Sequence, residues 1–238
     1  TGSFALCRDG SLIVSRKETV VRLRNGQEEI LGRIAESHPN MRLNDGSVMP
    51  DGSFIIGTMH VFREPGEEPV GGLYRLGTDG SFARIGRAFG VTNGPNVSPR
   101  DGRLYVCDST PRLIFSYTIG SDGSLSDERL FASTDSLGSA PDGCCFDSDG
   151  GLWTALVHAG AIVRFAPDGT VSQRIDLPLS HPASLCFGGF DMDEIYVTSI
   201  ADSGSLRAEG PLDGAVLRIT GSGYRGLPKP CFGEPACP

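Results

Sequence analysis

Short apolar runs separated by turn-forming residues recur from one end of the chain to the other. Where side chains alternate in character, as in Ala161-Ile162-Val163-Arg164-Phe165, the period is two, which is typical of a strand with one buried face. Long stretches with the spacing of an amphipathic helix are absent from the sequence. The pattern therefore predicts an all-β protein built from short strands.

Two series of turn signals divide these runs at intervals of roughly 40 to 50 residues, a period typical of propeller blades. Asn-Gly and Asp-Gly supply the positive φ angles that tight hairpin turns need. The first series is Asp9, Asp51, Asp101, Asp149 and Asp193, and the second is Asn25-Gly26, Asp79-Gly80, Asp122-Gly123, Asp168-Gly169 and Asp213-Gly214. Together they predict a β-propeller whose blades each contain four strands.

The length of 238 residues corresponds to about five blades. Propellers close with four to eight blades, and an open ring would expose sheet edges. The sequence therefore fits either a five-bladed ring or a larger ring with a blade upstream of Thr1, where the chain starts without Met. We interpret residues 1–232 as a single propeller domain and residues 233–238 as a Pro-rich C-terminal tail.

Composition narrows the possible partners and the compartment. The formal charge of −8 argues against nucleic acid or an anionic membrane, and it suits cations or small neutral molecules. No apolar run approaches the length of a membrane-spanning helix. Seven cysteines form no Cys-x-x-Cys pair, and we expect five of them (7, 107, 144, 145 and 186) to be reduced core residues, which favours a cytoplasmic location. Cys231 and Cys237 could pair or stay free.

Polar residues cluster where the predicted innermost strands of the blades begin, in segments 43–49, 92–98, 141–147 and 183–189. Amide and carboxylate oxygens suit Ca²⁺, Mn²⁺ or Zn²⁺, although Asn-Gly and Asp-Gly are turn formers first. Three of the Asn-Gly and Asp-Gly pairs precede an innermost strand instead of joining two outer strands. This position favours a functional role for them over a role in turn formation alone. The candidates at one mouth of the channel are Arg42, Asn44, Asp45, Asn93, Asn96, Asp142, His181 and Ser184, with His60 as a further pocket-lining candidate.

Four ordered motifs carry a resemblance to a known family. They are RLNDGSVMPDGSFIIGTM (42–59), VTNGPNVSPRDGRLYVCDS (91–109), APDGCCFDSDGGLWTALVHAGAIVRFAPDG (140–169) and SLCFGGFDMDEIYVTS (184–199). In order and spacing the chain resembles the SMP-30/gluconolactonase/luciferin-regenerating-enzyme family. The resemblance implies a six-bladed propeller, of which about five blades are present here, with one divalent cation in its channel and activity on sugar lactones.

The resemblance also implies roles for individual residues. Asn93 and Asp142 would be metal ligands, and Asp142 would also be the general acid or base. Arg42 and Asn44 would bind the substrate's oxygens, with His60 and His181 as substrate-binding candidates from their positions. A third metal ligand, a glutamate on a first blade, would lie upstream of Thr1.

The favoured function is a metal-dependent hydrolase that opens a sugar lactone ring, with the cation polarising the carbonyl and Asp142 assisting water attack. Two alternatives stay open at this point. One is a non-catalytic propeller that binds a metal or ligand in a regulatory role. The other is a hydrolase of other esters or phosphotriesters on the same fold.

Overall fold

The computed structural model describes residues 2–35, 38–60, 62 and 64–233, and in these residues the chain forms strands and connecting turns almost throughout. Within that part of the chain the one helical element is a 3₁₀ turn at Asp135–Leu137, so no helix there is long and apolar enough to cross a membrane. The strands are β1 (Phe4–Leu6), β2 (Leu12–Ser15), β3 (Thr19–Arg24), β4 (Gln27–Arg33), β5 (Met41–Val48), β6 (Phe54–His60), β7 (Gly71–Leu76), β8 (Phe82–Phe89), β9 (Thr92–Val97), β10 (Leu104–Asp108), β11 (Leu113–Ile119), β12 (Leu125–Ser133), β13 (Pro141–Phe146), β14 (Leu152–Leu156), β15 (Ala161–Phe165), β16 (Val171–Asp176), β17 (Pro182–Gly188), β18 (Glu194–Ser199) and β19 (Val216–Ile219).

These strands form five antiparallel sheets in chain order, which confirms the predicted propeller architecture. We name the sheets blades I to V: β1–β4, β5–β8, β9–β12, β13–β16 and β17–β19. Successive first strands (β1, β5, β9, β13 and β17) are neighbours, so they line the central channel as the innermost strands. Four apolar clusters follow the same order, each shared by two adjacent blades. The blades are therefore held together face to face by buried side chains.

The recurrent Asp residues at the hairpins are turn formers, as their spacing predicts. The Oδ1 atom of Asp51 accepts hydrogen bonds from the backbone N–H of Ser53 at 2.9 Å and from its hydroxyl at 2.6 Å. Gly52 between them has φ of 80°, a conformation that glycine adopts without strain. The same pair of bonds recurs at Asp9, Asp79, Asp122 and Asp168. These aspartates thus close the turns between paired strands.

Asp213-Gly214 does not form the outer hairpin that its spacing predicts. It lies in the long connection between β18 and β19, and the Asp213 carboxylate accepts hydrogen bonds from the backbone N–H groups of Ser180 (2.7 Å), Glu209 (2.8 Å) and Gly210 (3.0 Å). These bonds hold the pKa of Asp213 well below its ordinary value. Its role is to fasten this connection to the start of β17.

Blade V has three strands among the described residues, where four were predicted. After β19 the chain crosses the ends of the blades: in blade V, Gly226 N–H donates to the Met192 carbonyl at 2.7 Å, and in blade I, the Leu6 carbonyl accepts from Phe232 N–H at 2.8 Å. Pro228 and Pro230 in this segment lack the N–H that a fourth strand would need. Residues 234–238 of the predicted tail, with Cys237, lie outside the described residues.

Four of the five cysteines expected in the core are buried, but Cys186 is exposed. Cys186 lies between Leu185 and Phe187 on β17, and those two side chains are buried. Because successive side chains of a strand point to opposite faces, Cys186 is on the outward face. The expectation of a core position at Cys186 was therefore wrong.

One buried charge cluster anchors blade IV. Asp147 has no exposed surface, and its carboxylate accepts hydrogen bonds from Trp153 Nε1 at 2.8 Å, Arg164 Nε at 2.6 Å and Gly151 N–H at 2.8 Å. The Arg164 guanidinium in turn lies over the Tyr224 ring, 4.1 Å from its centre. Trp153 is fully buried.

Candidate active site

A register irregularity interrupts each innermost strand of blades II to IV at, or directly beside, the residues that the sequence singled out. On β5 the pair Asn44-Asp45 opposes one residue of β6, between Leu43↔Thr58 and Gly46↔Ile56. The same two-against-one arrangement occurs at Gly94-Pro95 on β9 and at Asp142-Gly143 on β13. Such β-bulges turn side chains away from the regular alternation of a strand. Here they place polar side chains along the channel.

Glycine lets these bulged strands approach closely. A Cβ atom on Gly94 would lie 2.4 Å from Cys144 Sγ, and one on Gly143 would lie 2.3 Å from Ser184 Oγ. Gly94 also has φ of 54°, in the left-handed region. The glycines that follow Asn93 and Asp142 therefore have a steric role: they allow neighbouring innermost strands to meet.

A series of hydrogen bonds joins three of the predicted site residues across two blades. Arg42 Nη1 donates to Asn44 Oδ1 at 2.9 Å, and Asn44 Nδ2 donates to Asn93 Oδ1 at 2.7 Å. Asn93 Nδ2 then donates to Ser109 Oγ at 2.9 Å, and the Ser109 hydroxyl donates to the carbonyl of Pro141 at 2.6 Å. The series fixes the orientation of each side chain and ends beside Asp142.

Asp142 carries a strongly perturbed carboxyl group in the channel. Enclosure by protein, with repulsion from Asp45 as the second cause, raises the pKa of Asp142 from 3.8 to about 8, against the opposing pull of the Gly143 N–H and Arg42. Burial also raises the pKa of Asp45, whose Oδ2 accepts a hydrogen bond from Gly94 N–H at 2.8 Å. Burial lowers the pKa of Arg42, and Asp142 partly offsets this. Asp142 therefore keeps its proton near neutral pH when no cation is bound.

The residues at this position fit a divalent cation. An amide oxygen from Asn93 and a carboxylate from Asp142 are ligands suited to a hard cation. A positive charge beside Asp142 would offset its repulsion with Asp45 and favour the ionised carboxylate. Asn93 Oδ1 already faces a donor, Asn44 Nδ2, so a cation there would share or replace that hydrogen bond.

The two predicted substrate-binding histidines make their described contacts away from this series. His181 Nδ1 lies 3.0 Å from the Val157 carbonyl, and its Nε2 lies 3.5 Å from Glu209 Oε1. The His60 ring is buried and packs edge-on against His38, with ring centres 4.6 Å apart. Their contact with a substrate stays a prediction.

Sequence reasoning did not single out Ser109, and it named Asp45 only as a candidate at the channel mouth, without a role. Ser109 directly follows β10, in which Cys107 pairs with Asn93, so the hairpin register puts Ser109 diagonally across from Asn93 on the same face. Asp45 sits in the same bulge as Asn44, but neither charge nor spacing reveals that it raises the pKa of Asp142.

A separate cavity of about 190 Å³ lies at the opposite end of the channel. It is lined by mostly apolar residues from the ends of the innermost strands, by Asn96 and Ser98, and by the C-terminal segment, including Lys229. The prediction that Asn96 lies at the same mouth as Arg42 was therefore wrong, because Asn96 is near the far end of β9. The Lys229 ammonium contacts Asn96 Oδ1 and lowers the pKa of Asp45 against the larger effect of burial. The two ends of the channel therefore carry different chemistry.

Comparison with known proteins agrees with this architecture. Residues 1–201 match the model of the SMP-30/Gluconolactonase/LRE-like region. Regucalcin from Xenopus laevis is 32% identical over 240 residues, which cover 97% of this chain and 80% of the relative. An L-arabinolactonase from Azospirillum brasilense is 32% identical over 222 residues, covering 90% and 72%. The solved structure of a luciferin-regenerating enzyme superposes with a TM-score of 0.84 at 26% identity, covering 96% of this chain and 80% of that one.

Proposed function

Because the chain belongs to the SMP-30/gluconolactonase/LRE-like family, we propose that it is a hydrolase that opens a sugar lactone ring with the help of one divalent cation. The observation that carries this proposal is the hydrogen-bonded series from Arg42 to Asn93, which leads to Asp142 with its raised pKa. The similarity to an L-arabinolactonase supports a lactone as the substrate class. Asn93 and Asp142 would hold the cation, which supplies Lewis-acid activation of the lactone carbonyl when it is bound.

In this proposal Asp142 acts as the general base and general acid. A carboxylate oxygen of Asp142 takes a proton from the attacking water, and the same carboxyl can return a proton to the ring oxygen that leaves. The pKa of about 8 belongs to the cation-free protein, and a cation beside Asp142 would favour the ionised carboxylate that a general base requires. The nearby Arg42 charge favours the ionised form.

Arg42 orients the substrate. Its guanidinium is a planar set of donors that matches adjacent oxygen atoms of a sugar, and Asn44 fixes one nitrogen of that set. Because Asn44 also donates to Asn93, the substrate-binding side chain and the proposed cation ligand are positioned as one unit. This coupling favours precise placement of the carbonyl carbon relative to Asp142.

The test uses the full-length gene product with Ca²⁺, Mn²⁺ or Zn²⁺, and pentono- and hexonolactones of both ring sizes. A pH indicator measures acid release above spontaneous hydrolysis. We expect turnover by the wild type, loss of turnover in Asp142→Asn, and a raised KM in Arg42→Lys. Asp122→Asn serves as the control, because it removes the same charge at a hairpin turn, and it should keep full activity.

Lactone binding without turnover by the wild type would replace this proposal with the binding-propeller alternative. If Asp142→Asn hydrolysed lactones at the wild-type rate, Asp142 would have no part in the mechanism. Hydrolysis of phosphotriesters but no lactone would favour the other hydrolase alternative.

A further inference from the structure

Two histidines and a glutamate meet at the rim of blade II, outside the series that contains Arg42 and Asn93. His38 precedes β5, His60 is the last residue of β6, and Glu67 lies in the connection from β6 to β7. Glu67 Oε1 lies 3.7 Å from His38 Nε2 and 3.7 Å from His60 Nε2. One ligand atom from each residue lies within 4.8 Å of the others. We infer that these three side chains form a second cation site, selective for a borderline divalent ion such as Zn²⁺.

The spacing suits such an ion. Bonds of about 2.0–2.1 Å to imidazole nitrogen and carboxylate oxygen in a tetrahedral site place ligand atoms roughly 3.3–3.4 Å apart. The two distances of 3.7 Å therefore need a contraction of a few tenths of an ångström, and the two imidazole nitrogens, which lie within 4.8 Å of each other, need a contraction of up to about 1.5 Å. Two histidines and one glutamate also form a recognised three-ligand zinc set, which leaves a fourth position open.

Hydrogen bonds hold the ligands in position. Glu64 N–H donates to Glu67 Oε2 at 2.9 Å, and Glu67 N–H donates to the Glu64 carbonyl at 3.0 Å, so Oε1 is the oxygen that faces both imidazoles. Hydrogen bonds to a ligating carboxylate orient it and strengthen metal binding. His60 N–H donates to the Gly90 carbonyl at 3.0 Å, and the His60 side chain has no exposed surface. Two of the three ligands are thus preorganised.

The third ligand must change one contact. His38 Nδ1 accepts a long hydrogen bond of 3.2 Å from Asn40 N–H, which places the proton of the neutral ring on Nε2. A cation at Nε2 requires the proton on Nδ1. Binding therefore exchanges this contact for a metal–nitrogen bond.

The donor chemistry distinguishes this site from the one proposed at Asn93 and Asp142. Imidazole nitrogen favours Zn²⁺, Co²⁺, Ni²⁺ and Cu²⁺ over Ca²⁺ and Mg²⁺, which prefer oxygen ligands. The position of this site links it to Arg42, because Met59, next to His60, pairs with Arg42 across the two strands. A bound ion would tie the turn before β5 and the connection after β6 to the strand beside Arg42.

The test measures Co²⁺ and Zn²⁺ binding directly, without an activity assay. It uses the full-length protein carrying Asp142→Asn, so that the channel site does not contribute. We expect Co²⁺ to produce visible d–d absorption bands that Zn²⁺ abolishes in competition. Adding His38→Gln or Glu67→Gln should weaken Zn²⁺ binding at least about 100-fold, because loss of an outer-shell partner alone costs 10–100-fold. Glu68→Gln is the matched control in the same connection and should bind as tightly as its parent.

The inference is overturned if the Asp142→Asn protein binds no Co²⁺. It is equally overturned if His38→Gln and Glu67→Gln bind Zn²⁺ as tightly as Glu68→Gln. Both variants alter partly exposed side chains, so circular dichroism should show the wild-type fold. Because the parent already lacks Asp142, either outcome is independent of whether the protein hydrolyses lactones.

Discussion

Replacing Asp142 with Asn should stabilise the cation-free protein at neutral pH. An ordinary aspartate is ionised at pH 7, but enclosure and the Asp45 charge raise the pKa of Asp142 to about 8 in the folded state. The folded protein therefore holds a proton that the unfolded chain has released. Keeping that proton costs free energy, and the neutral amide of Asn avoids the cost.

The sign and size follow from the two pKa values. Between pH 3.8 and about 8 the folded state binds the extra proton, so wild-type stability falls as pH rises through this window and levels off above it. Each pH unit contributes about 1.4 kcal/mol, so about 3 units at pH 7 give an upper limit of roughly 4 kcal/mol. Partial contact of Asp142 with solvent in the channel reduces this, and we expect a gain of about 2–4 kcal/mol.

Urea unfolding in the presence of a chelator at pH 4 and pH 7 measures this gain. At pH 4 the two proteins should differ by less than about 0.5 kcal/mol, and at pH 7 Asp142→Asn should have the higher midpoint with the same slope. Asp122→Asn is the control of opposite sign, since the hydrogen bond from Ser124 lowers the pKa of this turn carboxyl. Equal stability of Asp142→Asn and wild type at both pH values would refute the raised pKa.

Three further predictions use the same unfolding measurement. Ca²⁺, which prefers the oxygen ligands of the channel site to histidine, should at about 100 times its Kd stabilise wild type by about 2.7 kcal/mol and leave Asp142→Asn unchanged; an equal gain in both would place the Ca²⁺ elsewhere. Asp147→Asn should cost about 3–5 kcal/mol because it leaves the Arg164 guanidinium buried without a countercharge, and a loss below 1 kcal/mol would contradict this. Gly94→Ala should cost at least about 1–3 kcal/mol through overlap with Cys144, and wild-type stability would contradict the close approach.

The blade pattern could be predicted from sequence because its signal is local. An Asp two residues before Ser or Thr, with Gly between, closes its turn through its own side chain, so Asp51 and Asp122 behave alike wherever they occur. Asp213-Gly214 is followed by Ala215, which has no hydroxyl to bond, and the Asp213 carboxylate instead accepts a hydrogen bond from Ser180, 33 residues away. Tertiary partners decided that case, and no local pattern reports them.

The site was predictable in membership but not in geometry. Family motifs named Arg42, Asn44, Asn93 and Asp142, and the structure brings the first three together through hydrogen bonds. The bulges that orient these residues arise because one strand has an extra residue relative to the strand it pairs with. The sequence of one strand alone cannot show this difference. His38 carried no signal at all, because its neighbours become apparent only when the turn before β5 folds against the end of β6.

The same bulges explain why this fold can hold polar groups inside a stack of apolar sheets. Each innermost strand is buried on the faces that pack against neighbouring blades, so a regular strand would have to point polar residues into an apolar cluster. At Asn44-Asp45 and at Asp142-Gly143, a bulge sets two residues of the innermost strand opposite one residue of its partner strand. The bulges turn polar side chains toward the channel, while Leu43 and Cys144 remain buried. Adjacent bulges then satisfy each other: the Gly94 N–H donates to Asp45, and Asn44 donates to Asn93. The candidate active site is therefore a product of blade stacking, and a variant that loosens the contact between blades II and III should lose cation binding before it loses its strands.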